Sequence, residues 1–134
     1  MHDDSLINHK YFPDLWNLLV ELKNEHKIKK IGISTYMNNL SDNIIKKYKF
    51  DIVQVPYNIY DQSRSDNGFF RTLKDNNIEI HVRSVFLQGI LLLNHKKLIS
   101  FFSSVREHQR KMHNYIELQG MTIMEGCLRA VLPQ

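Results

Sequence analysis

Polar side chains stand at the ends of three short apolar segments of the sequence. Ser34 and Thr35 follow the first segment, Gln54 lies in the second, and Arg83 with Ser84 ends the third. Hydroxyl, amide and guanidinium groups bind polar ligands through directed hydrogen bonds, and a guanidinium can also stack on a planar group. These residue types predict a ligand site if the fold brings the three ends together.

The first part of the chain alternates between helix and strand patterns. Residues 13–27 are predicted to form a helix, because a proline opens the segment and leucines recur at helical spacing. Residues 28–34 read as a short buried strand with an embedded glycine. Ser41 or Asn39 can cap the helix that follows.

The alternation continues through the rest of the chain. Residues 50–55 are predicted to form a second buried strand, and residues 57–68 a polar loop whose length suggests a function. A short helix and a third strand follow, and Thr122 with Glu125 forms a capping-box pattern before the last helix. The remaining predicted elements are a helix over 69–74, a strand over 78–85 and a helix over 98–118.

Apolar strands that alternate with amphipathic helices indicate the α/β class, with a parallel sheet covered by helices. The pattern alone permits a doubly wound sheet or a piece of a (β/α)8 TIM barrel. Two observations favour the barrel. The chain opens with a helix, and its polar residues gather at the carboxyl ends of the strands, where a barrel builds its active site. We therefore predict about half a barrel, forming a single domain over residues 1–134.

The composition is that of an ordinary globular protein, with 43% hydrophobic and 24% charged residues. The single cysteine, Cys127, cannot form an internal disulfide, and no signal peptide pattern is present, so a cytoplasmic protein is expected. The net charge of +4 arises from lysine pairs beside acidic residues, so no nucleic-acid partner is expected. No apolar run suits a membrane, and the histidine spacing predicts no metal site.

Three segments in register resemble the aldo-keto reductase family. Residues 30–36, Lys-Ile-Gly-Ile-Ser-Thr-Tyr, resemble the family's Ile-Gly-Val-Ser-Asn-Tyr segment. Residues 51–58 resemble its next strand, with a glutamine and a following Tyr-Asn, and residues 80–89 resemble the strand after that in bacterial members. The match in order and spacing covers essentially the whole chain, from the end of the family's fourth strand through the helix after its seventh.

The resemblance implies an oxidoreductase that transfers hydride between the nicotinamide of NADP or NAD and an aldehyde, ketone or sugar carbonyl. His2 resembles the family histidine that hydrogen-bonds the substrate carbonyl, a role that suits an imidazole donor. The alternative for His2 is a terminal histidine without a role.

Three residues resemble the family's binding site for the nicotinamide carboxamide. Ser34 resembles a serine that hydrogen-bonds this group, although capping of the strand end is the alternative. Thr35 stands where the family usually has asparagine, and offers a hydroxyl in place of an amide. Gln54 resembles the glutamine that holds the same carboxamide, and a ligand amide would satisfy an otherwise costly buried side chain.

The third segment resembles the region around the rest of the cofactor. Arg83 stands where many members stack an aromatic ring on the nicotinamide, and its planar guanidinium can stack or bind phosphate. An ion pair at the barrel mouth is the alternative for Arg83. Ser84 resembles the serine near the pyrophosphate, and Phe86 to Gln88 would place backbone amides near the phosphates.

The family's general-acid tyrosine and its lysine and aspartate helpers precede the matched histidine. The chain is therefore expected to be a truncated reductase that is inactive alone, its partners in the complete enzyme being the cofactor and a small carbonyl substrate. The alternative is a non-enzymatic half-barrel that dimerises or docks on a partner chain, because three parallel strands leave two edges unpaired.

Overall fold

The computed structural model describes residues 4–36, 40–66 and 68–132, in which helices alternate with strands. The α-helices are α1 (Phe12–Asn24), α2 (Asp42–Tyr48), α3 (Ser63–Asp66), α4 (Phe69–Asp75), α5 (Arg106–Leu118) and α6 (Ile123–Arg129). The strands are β1 (Gly32–Ser34), β2 (Ile52–Pro56) and β3 (Glu79–Arg83). Within the same ranges, 3-10 helices cover Asp4–Asn8, Leu87–Leu92, His95–Lys97 and Ser100–Val105.

The strands form one parallel sheet in the order β1-β2-β3. Gly32 pairs with Ile52, which pairs with Glu79, so the strands begin at the same level. Parallel neighbours need a crossover connection, and α2 and α4 lie in the two crossovers. This arrangement confirms the predicted α/β class and is the repeating pattern of part of a (β/α)8 barrel.

The chain divides into two compact units, and the sheet lies in the first. The first unit is Met1–Pro56 with Gln62–Arg83, and the second is Tyr57–Asp61 with Ser84–Gln134. In the first unit, apolar side chains from the sheet and its helices form a buried core. Burial of one such side chain stabilises the fold by roughly 1.5–3 kcal/mol. Prominent members of this core are Phe12, Ile33, Ile45, Val53, Val55 and Leu73.

Aromatic rings join α1 to α2 and to the residue Phe50, which precedes β2. The ring of Phe12 meets that of Tyr48 edge-on at 4.8 Å, and Trp16 meets Phe50 edge-on at 5.1 Å, between ring centroids. Such edge-to-face pairs contribute about 0.5–1.5 kcal/mol beyond the burial of their area. They hold α1 and α2 on the same side of β2.

Helix α1 ends at Asn24, three residues before the predicted end. His26 adopts a positive φ of 60°. The backbone amides of Lys27 and Ile28 turn back to the carbonyl of Leu22, at 2.9 and 3.3 Å. A left-handed residue followed by such bonds is a common helix ending, and it leaves Lys27 outside the helix.

The strands are shorter than predicted. Strand β1 starts at Gly32 rather than at residue 28, and β3 ends at Arg83 rather than at residue 85. Ser84 has a φ of 60°, which takes the backbone out of the extended region. The carboxyl end of β3 therefore falls on Arg83.

The predicted loop over residues 57–68 contains ordered structure. Helix α3 forms within it, and the Asn58 side chain accepts hydrogen bonds from the amides of Tyr60 and Asp61, at 2.9 and 3.1 Å. An asparagine that bonds the backbone two residues ahead forms a turn of its own.

Two buried polar side chains of α5 organise the second unit. Gln109 Nε2 donates to the carbonyls of Ile90 and Leu93, at 3.0 and 2.6 Å. His113 Nε2 lies 2.8 Å from the carbonyl of Leu91 and must be the donor in that bond, since a carbonyl can only accept. These bonds hold the segment before α5 against the helix.

The predicted helix over residues 98–118 is divided. Residues Ser100–Val105 form a 3-10 helix, and α5 begins only at Arg106. The capping box is confirmed, because Thr122 Oγ1 accepts from the amide of Glu125 at 3.2 Å and Glu125 Oε2 accepts from the amide of Thr122 at 2.7 Å. None of the helices in the described ranges combines the length and apolar character of a membrane span.

Candidate ligand site at the carboxyl edge of the sheet

Ser34 and Gln54 lie side by side at the carboxyl edge of the sheet. They are register partners in the pairing of β1 with β2. The backbone amide of Thr35 donates to the carbonyl of Gln54 at 2.9 Å, which fixes the end of β1 against β2. In a parallel pair, register partners point to the same face of the sheet. The fold therefore brings two of the predicted site residues together.

The Ser34 hydroxyl is buried without a hydrogen-bond partner in the described part of the chain. Its residue is 7% exposed. Leaving a buried polar group without a partner costs about 1–3 kcal/mol. Strand-end capping, the alternative for Ser34, would give this hydroxyl a backbone partner, and the described residues supply none. An incoming polar ligand could supply the missing bond.

Gln54 and Thr35 differ in their exposure. Gln54 is half-buried rather than fully buried, so its amide can reach a ligand from this face of the sheet. Thr35 is fully buried, at 0% exposure. Burial leaves Thr35 to support the end of β1, whereas Ser34 and Gln54 offer polar groups to a ligand.

Arg83 ends β3 and stacks on Tyr36, which follows the end of β1. The guanidinium carbon lies 4.3 Å from the centroid of the Tyr36 ring, and this ring is 66% exposed. The buried Nε of Arg83 has no hydrogen-bond partner among the described residues. No carboxylate in the same ranges forms an ion pair with Arg83, so the ion pair expected as its alternative is absent from these ranges.

Tyr36 was not among the predicted site residues. It comes directly after Thr35, in the segment that resembles the family. A tyrosine at this position does not by itself predict a contact with Arg83. The contact arises from strand order, because the ends of β1 and β3 both flank β2.

Charged and hydrogen-bonding side chains also lie on this sheet face. His81 is the register partner of Gln54, so Ser34, Gln54 and His81 form one row across the three strands. Below this row, Glu79 bonds Lys30 and His81, with His81 Nε2 at 2.6 Å from Glu79 Oε1. The hydrogen bond from Lys30, and then that from His81, lower the pKa of Glu79. The carboxylate therefore stays ionised and accepts hydrogen bonds from both side chains.

A tight, strained turn of the second unit contains Ser84, Phe86 and Gln88. Ser84, Leu87 and Gln88 have positive φ values of 60°, 45° and 54°. The amide of Leu87 donates to the carbonyl of Ser84 at 3.0 Å, and that of Gly89 to the carbonyl of Phe86 at 2.9 Å. Left-handed conformations are costly for residues other than glycine and often mark functional sites.

The amide of Leu87 is thus already used inside this turn. Among the backbone amides predicted to face phosphates, those of Phe86 and Gln88 take no part in these two bonds.

His2, the predicted catalytic residue, lies outside the described residues.

The family model described as "Aldo/keto reductase family" matches residues 2–132 of the 134-residue chain. No curated protein matches the chain. The family match covers both units and all three strands, so it includes every predicted site residue, and the resemblance stated from the three segments is confirmed.

Proposed function

We propose that this chain, which belongs to the Aldo/keto reductase family, holds the nicotinamide carboxamide of NAD or NADP at the carboxyl edge of its sheet. It is part of a cytoplasmic oxidoreductase that transfers hydride between nicotinamide and the carbonyl of an aldehyde, ketone or sugar. Residues 1–134, including both compact units, are proposed to belong to a single partial barrel domain. The chain has no match to the family's tyrosine, lysine and aspartate and is inactive alone.

The Ser34 hydroxyl, which is buried without a hydrogen-bond partner among the described residues, supports this function most directly. A carboxamide has a carbonyl that accepts and an amino group that donates, so it can bond a hydroxyl and a glutamine amide at the same time. Ser34 and Gln54 stand next to each other in register and can bind the two ends of that group. Binding there satisfies the Ser34 oxygen and fixes the rotation of the nicotinamide ring.

When bound, the nicotinamide supplies the hydride. The residues of this chain orient the ring and exclude water from one of its edges. Ser84, Phe86 and Gln88 are proposed to lie near the pyrophosphate, where backbone amides bind anions. His2 is proposed to donate a hydrogen bond to the substrate carbonyl.

A binding experiment tests the carboxamide site. The 134-residue chain is titrated with NAD⁺ and NADP⁺ by isothermal calorimetry. Ser34→Ala and Gln54→Ala should each weaken binding by about fivefold to tenfold, since a lost hydrogen bond is worth about 1 kcal/mol. Ser104→Ala, at an exposed serine of the second unit, is the matched control and should bind as the unchanged chain does. Unaltered affinity in both site variants would reject the proposed site.

An activity assay tests the proposed inactivity. The isolated chain is mixed with NADPH and a panel of aldehydes and ketones, and absorbance of the reduced cofactor is followed. We expect no carbonyl-dependent oxidation, because general acid catalysis requires a donor within hydrogen-bond reach of the carbonyl. Robust turnover would show that another residue of this chain supplies the proton.

A second candidate function is that of a half-barrel interaction module. In the described part of the sheet, β1 and β3 each pair with β2 alone, and an unpaired strand edge can pair with another chain. A module of this kind would form a homodimer or bind a partner chain that completes the barrel. Sedimentation analysis distinguishes the two functions, because a stable monomer that unfolds cooperatively contradicts the module.

A further inference from the structure

Tyr36 and Arg83 form a stacked pair that crosses the end of β2. The two residues follow β1 and end β3, which lie on opposite sides of β2. Neighbouring strands are about 4.8 Å apart, so a contact between the outer strands must span roughly twice that distance. The Arg83 guanidinium carbon, at 4.3 Å from the Tyr36 ring centroid, makes this contact.

The pair lies next to the proposed carboxamide site. Arg83 pairs in register with Pro56, two residues after Gln54 and therefore on the same sheet face. Tyr36 likewise follows Ser34 by two residues. A nicotinamide ring held by Ser34 and Gln54 would thus lie beside the guanidinium.

Among the described residues, no neighbour neutralises the charge of Arg83. No carboxylate of the described residues forms an ion pair with it, and one face of its guanidinium is covered by an uncharged ring. The guanidinium group of an arginine carries a positive charge in proteins. The site therefore contains a fixed positive charge, at a position where an aromatic residue would contribute none.

We propose that Tyr36 is a positioning residue that holds this charge beside the nicotinamide, so that the site selects the reduced ring over the oxidised ring. The proposal rests on the proposed carboxamide site. The oxidised ring is a pyridinium with one positive charge, whereas the reduced ring is uncharged. Two unit charges about 4 Å apart repel each other, even in water, enough to weaken binding about fivefold. Stacking on Tyr36 keeps the guanidinium in place, so that it cannot move away from the positively charged pyridinium ring.

The test compares two probes with the same ribose and phosphate. Oxidised and reduced nicotinamide mononucleotide are titrated separately into the 134-residue chain, and saturable shifts of backbone amide signals are followed by NMR. The reduced form is expected to bind at least about fivefold more tightly. Arg83→Gln should bring this ratio close to one by improving the binding of the oxidised form. Arg71→Gln removes the same charge from an exposed position of α4 and should leave the ratio unchanged.

Variants of Tyr36 separate positioning from a general structural role. Tyr36→Phe retains an aromatic face and should keep both the preference and the ring-current shift of the Arg83 Nε–H signal. Tyr36→Leu removes the aromatic face, so the signal should lose its shift and the preference should fall toward that of Arg83→Gln. A preference that survives in Tyr36→Leu would overturn the positioning role.

These measurements distinguish charge selection by Arg83 from carboxamide binding by Ser34 and Gln54. If the unchanged chain binds both forms equally, and Ser34→Ala weakens both, the charge selection is wrong and the carboxamide site stands. A preference that persists in Arg83→Gln also overturns the inference. If neither form binds saturably, or if Ser34→Ala changes neither affinity, the proposed function and this inference both fail.

Discussion

Gly32 lies where β1 approaches β2 too closely for a side chain. A β-carbon built on Gly32 would stand 2.8 Å from the carbonyl oxygen of Ile52 and 3.0 Å from its β-carbon. These atoms belong to the sheet backbone or are fixed to it, so they cannot move aside without disturbing the pairing of β1 with β2. The absence of a side chain is therefore required at this position.

Gly32→Ala is expected to lower the free energy of unfolding by about 1–3 kcal/mol, because added volume forces packed backbone apart. It should also weaken the bond from the Thr35 amide to Gln54, and hydrogen exchange at that amide should accelerate. Gly68→Ala is the control. A β-carbon there meets nothing within 4 Å, so its cost comes only from the positive φ of 79° and should leave the exchange of Thr35 unchanged. Equal exchange rates in the two variants would contradict the steric explanation.

Some residues of the candidate site could be predicted from the sequence, and one could not. Ser34 and Gln54 were predicted from a polar type at the end of an apolar strand, and the register of β1 with β2 places them together. Tyr36 was not predicted, because its contact with Arg83 depends on which strands flank β2. A linear pattern gives the position of a strand end, but it does not give the neighbour of a long side chain that crosses another strand.

At the scale of elements, α6 depends on its capping box. Thr122 and Glu125 satisfy two amides that have no partner inside the helix. Burial does not contribute to this pair, since both side chains are exposed. The helix is short, so its first turn is a large part of it.

Thr122→Ala is expected to lower the free energy of unfolding by about 1 kcal/mol, measured by urea denaturation. Thr122→Ser keeps the hydroxyl and is the matched control, and it should retain most of the stability. If the serine variant lost as much as the alanine variant, the methyl group of Thr122 rather than its hydrogen bond would be responsible.

The element types were predictable, but several boundaries were not. Helical spacing of leucines and runs of β-branched residues are local signals, and they gave α1, β2 and β3 in the correct order. The ends of α1 and β3 are set by positive φ at His26 and Ser84. Neither residue is a glycine, so the sequence contained no conformational signal for these endings.

At the scale of the whole molecule, several carboxylates have lowered pKa values. Burial alone would raise the pKa of Asp51, but hydrogen bonds from Lys23 and from the amide of Ile31 lower it overall. Both bonds from Lys23 are 2.6 Å long, and the bond from Ile31 is 2.7 Å. Asp51 thereby ties the end of α1 and the approach to β1 to the start of β2.

A lowered pKa means that the unfolded chain binds the proton more readily than the folded chain. The contribution of Asp51 to stability is therefore complete well above its ordinary pKa of 3.8, and it is lost as pH falls through the lower folded value. We expect Asp51→Asn to lower the free energy of unfolding by about 1–3 kcal/mol at pH 7, because it weakens charged hydrogen bonds. The difference from the unchanged chain should shrink as denaturation is measured at pH 5, 4 and 3.

Glu107→Gln is the control for this pH dependence. The hydrogen bond from Arg110 lowers the pKa of Glu107, but both groups are on the solvent-exposed side of α5. Water screens such pairs, so this variant should differ little from the unchanged chain at any pH. A larger pH effect in Glu107→Gln than in Asp51→Asn would contradict the structural role of Asp51.

The global pattern of the fold was more predictable than the segment after β3. Repeated strand and helix signals indicated a parallel sheet and part of a barrel, and both are present. The 3-10 helices of Leu87–Leu92 and Ser100–Val105 were not predicted. They contain residues with unusual backbone angles, at Gln88, Gly89 and Phe102, where tertiary packing decides the conformation.

Because Cys127 is buried, its reaction with a thiol reagent can report how often α6 opens locally. It is the only cysteine, it is 0% exposed, and burial raises the pKa of its thiol. Thiol-alkylating reagents attack the exposed thiolate, so they can modify this protein only during moments when α6 opens. The rate of modification, read by mass spectrometry, would thus give the opening equilibrium of the second unit without any engineered label.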